Sequence, residues 1–132
     1  ERIGDETEKI ARLVLKLNDP RAITIYYTGI LAISRNVRRM LSDALNAFAR
    51  MDSKSAIRIA QMDKEIDAGI DLLMRQLITF TLEDVSVISA VLDAVLAARA
   101  LERIGDHARN ICENVIYLVD GIDVRHGESG IS

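Results

Sequence analysis

The pentapeptide Glu-Arg-Ile-Gly-Asp stands twice in this chain, at residues 1–5 and at residues 102–106. The register continues beyond it, with Ile10 matching Ile111, Val14 matching Val115 and Leu17 matching Leu118. Five identities in a row, followed by identities at helical spacing, mark an internal repeat. A tandem repeat confines a chain to copies of one packing unit laid beside each other. The second copy falls late in a long helical pattern, whereas the first opens the chain. The expectation is a chain that begins inside the last helix of a preceding unit and lacks most of that unit.

One Pro and seven Gly in 132 residues leave room for long uninterrupted elements. The first expected helix covers residues 1–17. Asn18-Asp19-Pro20 ends it, and Pro20 suits the first turn of the next helix. That second helix is expected over 21–51. Ile23-Thr24-Ile25-Tyr26-Tyr27 is locally strand-like, but Ile30, Ile33, Val37, Met40, Ala44, Phe48 and Met51 recur at intervals of three and four, which is helical. Asp52-Ser53 forms a turn and a capping signal. A third helix spans 54–80, with Ile59, Met62, Ile66, Ile70, Leu73, Leu77 and Phe80 on one face. Thr81-x-x-Asp84 reads as a capping box opening a fourth helix over 82–119. The core stripe of its later half is Leu101, Ile104, Ala108, Ile111, Val115 and Leu118, and Gly121 supplies its stop.

Short connections between long helices make neighbours antiparallel. The expected fold is therefore all-α. An antiparallel three-helix bundle occupies 19–120, a helix left from the preceding unit occupies 1–18, and a flexible tail occupies 121–132. The interior is aliphatic, because 49% of the residues are apolar while aromatics are 4% and Trp is absent.

Charge and cysteine content remove several classes of function. A net charge of −3 does not suit a nucleic-acid binder, which needs a large basic face. The single cysteine, Cys112, excludes an intrachain disulfide framework and fits a reducing cytoplasm. No run approaches the ~18 apolar residues of a transmembrane helix, so membrane contact is expected only through partners.

Placed on a helix, Glu102, Asp106 and Glu113 form one acidic stripe opposite the apolar stripe, with Asn110 at its edge. Like charges four residues apart destabilise a helix slightly, and a bound cation would compensate. The third helix carries Asp63, Asp67 and Asp71 at the same interval. If the two helices are adjacent, their stripes flank one groove whose oxygen ligands suit Mg, Ca, Mn or Fe. The plain alternative is a solvated acidic surface, neutralised locally by Arg103. The Glu-x-x-x-Asp pair, however, recurs in one context together with a mid-helix glycine, Gly4 or Gly105. Such a glycine costs about 1 kcal/mol relative to Ala and signals close approach of another helix.

Other chemistries find no support. His107 and Cys112 point to different sides of a helix, no Glu-x-x-His pair occurs, and no Gly-rich phosphate loop is present. No residue has the context of a catalytic nucleophile, and none is assigned as catalytic.

Glu102-Arg103-Ile104-Gly105-Asp106, followed by Asn110-Ile111-Cys112-Glu113 and Gly121-x-Asp123-x-Arg125-His126, resembles the PhoU family of bacterial phosphate-transport and phosphate-signalling regulators. Ala44-x-x-Ala47-Phe48-Ala49-Arg50-Met51-Asp52 and Asp63-Lys64-x-x-Asp67 are similar to the family's second repeat. The resemblance implies two similar three-helix bundles side by side, of which this chain carries the second and the end of the first. It implies Glu102, Asp106, Asp63 and Asp67 as ligands of a multinuclear cluster of iron or another divalent metal (Zn, Mg, Mn or Ni). Glu1 and Asp5 match the motif in the first copy, where the partner carboxylates are missing. Asn110 fills a polar position of the motif, for which Lys9 stands in the first copy.

The implied role is a non-enzymatic adaptor. It would act between the phosphate ABC transporter, through the ATPase subunit PstB, and the sensor histidine kinase PhoR, as a negative regulator of the Pho regulon. The unpartnered first helix points to a homodimer. The competing reading is a metal-free helical adaptor whose acidic stripes dock basic partner surfaces.

Overall fold

The computed structural model describes Gly4, Asp5, residues 7–9 and residues 20–121, and every element in it is helical. Gly4, Asp5 and residues 7–9 are helical, and from Pro20 the described residues form four α-helices: α1 (Pro20–Arg50), α2 (Ser53–Ala60), α3 (Met62–Glu83) and α4 (Ile88–Asp120). A short 3-10 turn, Val85–Val87, joins α3 to α4. Glu1, Ile10, Val14, Leu17 and the tail beyond Gly121 lie outside the described residues. No described helix is long and apolar enough to cross a membrane.

Pro20 opens α1, as its fixed φ allows, and the locally strand-like segment from Ile23 to Tyr27 is helical within it. α1 ends where Met51 turns into the left-handed region at φ +52°. The amide of Asp52 then donates to the Ala47 carbonyl at 2.9 Å and that of Met51 to the Phe48 carbonyl at 3.2 Å. This is the bonding of a Schellman cap. Asp52 at once caps α2, its carboxylate accepting from the Ser55 amide at 3.1 Å and the Ser55 hydroxyl at 2.7 Å.

Two sequence expectations need correction here. The helix expected over 54–80 is interrupted at Gln61 and carries on to Glu83. Gln61 keeps helical dihedrals (φ −71°, ψ −20°), and its carbonyl accepts a tight 3-10-type bond from the Lys64 amide at 3.3 Å. The capping box at Thr81 is also not formed. The Thr81 hydroxyl instead donates back to the Leu77 carbonyl within α3 at 3.0 Å. Asp84 is the cap, accepting from the Ser86 amide at 3.0 Å, and α4 begins four residues later. Gly121 ends α4 at φ +66°, donating to the Tyr117 carbonyl.

α4 is the central rod, about 50 Å long at ~1.5 Å per residue, and it packs against α1, α2 and α3. Small residues permit that. Ala44, Ala47, Ala56, Ala94, Ala97, Ala98 and Ala108 are fully buried, around the larger Met40, Ile70, Leu77 and Val115. Along α4 the buried face includes Gly105, Cys112 and Ile116 and excludes Leu118, which is 62% exposed. Phe48 and Met51, expected on the core face of α1, are half exposed, and Ala47 takes the buried position. The cause is the same in both helices. A helix covered by neighbours on two sides buries a wider and rotated arc than a single apolar stripe suggests. A row of apolar residues, Val85, Ile88, Leu92 and Leu96, remains on the surface.

Candidate metal centre

α3 and α4 meet at the level of Gly105. A Cβ on Gly105 would lie 3.3 Å from an Asp63 carboxylate oxygen (Oδ1) and 3.8 Å from Ile66. The missing side chain lets the second residue of α3 lie against the backbone of α4. Asp63 is in consequence 4% exposed, a charged residue sealed between two helices. Its place in the first turn of α3 helps it, since the positive end of the helix dipole favours a carboxylate there. Asp67, one turn on, and Asp106 on α4 complete a group in which one oxygen from each of the three lies within 4.8 Å of the others.

A cation faces these carboxylates. The Arg109 guanidinium donates through Nη1 to Asp63 Oδ2 at 2.7 Å. The same nitrogen is 3.7 Å from Asp106, and Nε is 3.6 Å from Glu113. Two carboxylate oxygens, Asp63 Oδ1 and Asp67 Oδ1, are buried without a hydrogen-bond partner. Burial, and then the charges of Asp63, Glu102 and Asp106, push the Asp67 carboxyl above its ordinary range, against the opposing pull of Arg109.

This donor set fits a divalent cation in three respects. It is all oxygen, it holds two buried oxygens with nothing to accept, and it opens onto a backbone cradle that a Cβ would fill. Arg109 is the feature that does not belong to a simple cation site. Cys112 contributes nothing to it. That thiol is fully buried, and burial followed by the Glu113 charge raises its pKa to about 11.

The PhoU domain family matches residues 30–115. The chain belongs to the PhoU family. It is 51% identical to a phosphate-specific transport system accessory protein PhoU homolog of Pseudomonas putida, over 96% of this chain and 49% of that protein. It is 42% identical to the Escherichia coli (strain K12) accessory protein PhoU, over 96% of this chain and 52% of that one. The crystal structure of PhoU from Pseudomonas aeruginosa superposes with a TM-score of 0.85 at 46% identity, covering 92% of this chain and 58% of that one. The chain thus spans about half the length of the curated relatives it matches.

Against this PhoU frame the residues singled out in the sequence divide into groups. Asp63, Asp67 and Asp106 come together. Glu102 stands at the edge, outside the group of three. Arg99 holds it at 3.1 Å, while its charge still acts on Asp67. Asp71 and Asn110 are exposed, as is Asp5 on its own helical segment, and Glu1 lies outside the described residues. The acidic stripe borders the buried face of α4 rather than opposing it, because Gly105, next to Asp106, is itself buried. Sequence reasoning missed Arg109. Its signal was present, since it lies three residues after Asp106 and four before Glu113, the spacings at which charges pair on a helix.

Proposed function

We propose that this chain is the second-repeat portion of a non-enzymatic regulator accessory to a phosphate-specific transport system. In this reading residues 1–18 are the end of a first repeat, residues 19–120 form the working bundle, and residues 121–132 are a tail. The observation that carries the reading is the match over 96% of the chain to proteins named for that accessory role. The bundle acts in the cytoplasm as a homodimeric adaptor, engaging the transporter's ATPase subunit PstB and the histidine kinase PhoR. A divalent metal such as iron, or Mn, Mg, Zn or Ni, is held by Asp63, Asp67 and Asp106, with Glu102 alongside. It supplies charge neutralisation and ties α3 to α4. The two unpartnered buried oxygens support the metal.

The metal-free adaptor reading has an observation of its own, the Arg109–Asp63 ion pair, which neutralises part of the cluster without any ion. Elemental analysis separates the two. Protein purified without chelator is expected to carry metal that Asp63→Asn/Asp106→Asn protein lacks, and equal, near-zero metal in both would favour the bare adaptor. Retention of the transporter ATPase on the immobilised chain tests the adaptor role, and absence of retention at micromolar concentrations would count against it.

A further inference from the structure

The arginine in the cluster has a structural logic that a permanent ion pair does not need. Asp63 is nearly sealed from water, and a buried carboxylate without a counter-charge is costly, so a positive group beside it offsets that cost when no metal does. Arg109 meets that need with a single short bond. It does not saturate the site. Only Nη1 engages Asp63, the same atom is beyond hydrogen-bonding distance of Asp106, and Asp63 Oδ1 and Asp67 Oδ1 stay without partners. An arginine built to close a carboxylate site for good would use its planar fork on both oxygens.

The side chain is also 39% exposed, which leaves it a way out. A second acceptor is ready at the other edge. Glu113, one turn further along α4, has a carboxylate oxygen 3.6 Å from Nε.

From this geometry we infer that Arg109 is a displaceable counter-ion. It occupies the carboxylate cluster while the site is free of metal, and it shifts onto Glu113 when a divalent cation takes Asp63, Asp67 and Asp106. The inference rests on the metal-binding reading above and adds how that site is regulated. The arginine keeps the empty site folded and lowers its apparent affinity for the cation, and occupancy is reported at the surface by the position of one guanidinium. The cation must bind the arginine-out form, so its apparent affinity falls by the fraction of molecules in that form.

Manganese(II) binding to the whole chain, followed by the loss of the free-ion electron paramagnetic resonance signal, tests this with Arg109→Gln, Glu113→Gln and the double variant. Arg109→Gln is expected to tighten Mn(II) binding by about ten-fold or more, as removal of a state populated at about 90% or more requires. Glu113→Gln is expected to weaken binding severalfold when Arg109 is present and to have no effect when it is absent, because its role is to receive the displaced group. Equal weakening in both backgrounds would overturn the displacement and leave only a general field effect. Unchanged affinity in Arg109→Gln would overturn it too, while wild-type binding would leave the metal reading standing. If neither wild type nor Arg109→Gln binds Mn(II), both the metal reading and this inference fail.

Should Arg109→Gln not fold without metal, the Arg109 Nε–H resonance of wild-type protein titrated with Mg(II) carries the test. A shift on binding that Glu113→Gln abolishes is expected. An Nε–H resonance that does not move at saturating Mg(II) would overturn the displacement.

Discussion

Asp67 is the residue at which the cost of the acidic cluster is most exposed to measurement. Its carboxyl is raised by burial and by three neighbouring carboxylates, and one of its oxygens has no partner. Because the folded protein holds that proton more tightly than the unfolded chain, the ionised group destabilises the fold at neutral pH. That penalty fades as pH falls through the raised value and is gone below the ordinary value of 3.8. Asp67→Asn is therefore expected to stabilise the metal-free protein at pH 7, by relief of the burial penalty first and of like-charge repulsion second, the repulsion from Asp63 one helical turn away alone being worth about 0.2–0.5 kcal/mol. The gain should vanish near pH 3.5 in parallel urea titrations, and a gain that persists there would refute the electrostatic cause.

Cys112 gives the opposite kind of prediction, one of inertness. With full burial and a pKa raised to about 11, it should not react with a thiol reagent at pH 8 until the protein is unfolded in guanidinium. Fast labelling of native protein would contradict its place in the core. At this scale Asp63, Asp67 and Asp106 were legible as carboxylates at four-residue intervals. Arg109 was not singled out, because an arginine on a charged helix usually pairs with solvent or a neighbour, and nothing local says that its partner is a buried aspartate on another helix.

The elements are set by their ends more than by their apolar stripes. Met51 is a β-unbranched but non-glycine residue in the left-handed region, where an L side chain crowds the following carbonyl at a cost of roughly 1–2 kcal/mol. Its side chain is already 44% exposed, so little packing is lost on removing it. Met51→Gly is expected to raise stability by about 1 kcal/mol, read as a higher thermal midpoint with an unchanged helical circular dichroism spectrum. A lower midpoint would show that the half-buried side chain matters more than the backbone.

Pro20, Asp52 and Gly121 were readable as boundaries because each acts through its own chemistry: a fixed φ, a short acceptor and a positive φ. The interruption at Gln61 was not readable, since neither Gly nor Pro marks it and its dihedrals remain helical. Thr81 misled for a definite reason. Its hydroxyl has two local choices, a cap to the following turn or a bond back to the carbonyl four residues earlier, and α3 persists long enough for the second to win.

For the whole molecule, the repeat and the spacing of apolar residues carried the all-α bundle, and the motif around Glu102 carried the family. The face on which the acidic groups lie was harder. It depends on how far α2 and α3 wrap around α4, and an isolated helical wheel contains no information about a neighbour. Gly105 supplied the clue, because a glycine inside a 33-residue helix carries a cost that close approach of another element offsets. That contact brings Asp63 and Asp67 of α3 against Asp106 of α4, and the proposed cation site rests on this meeting. The most direct measurement is crystallographic. Crystals grown with Mn(II) should show an anomalous difference peak among the carboxylates of Asp63, Asp67 and Asp106, with the Arg109 guanidinium moved from Asp63 towards Glu113. A map with no peak there, and with the Arg109–Asp63 pair intact at millimolar Mn(II), would contradict the account.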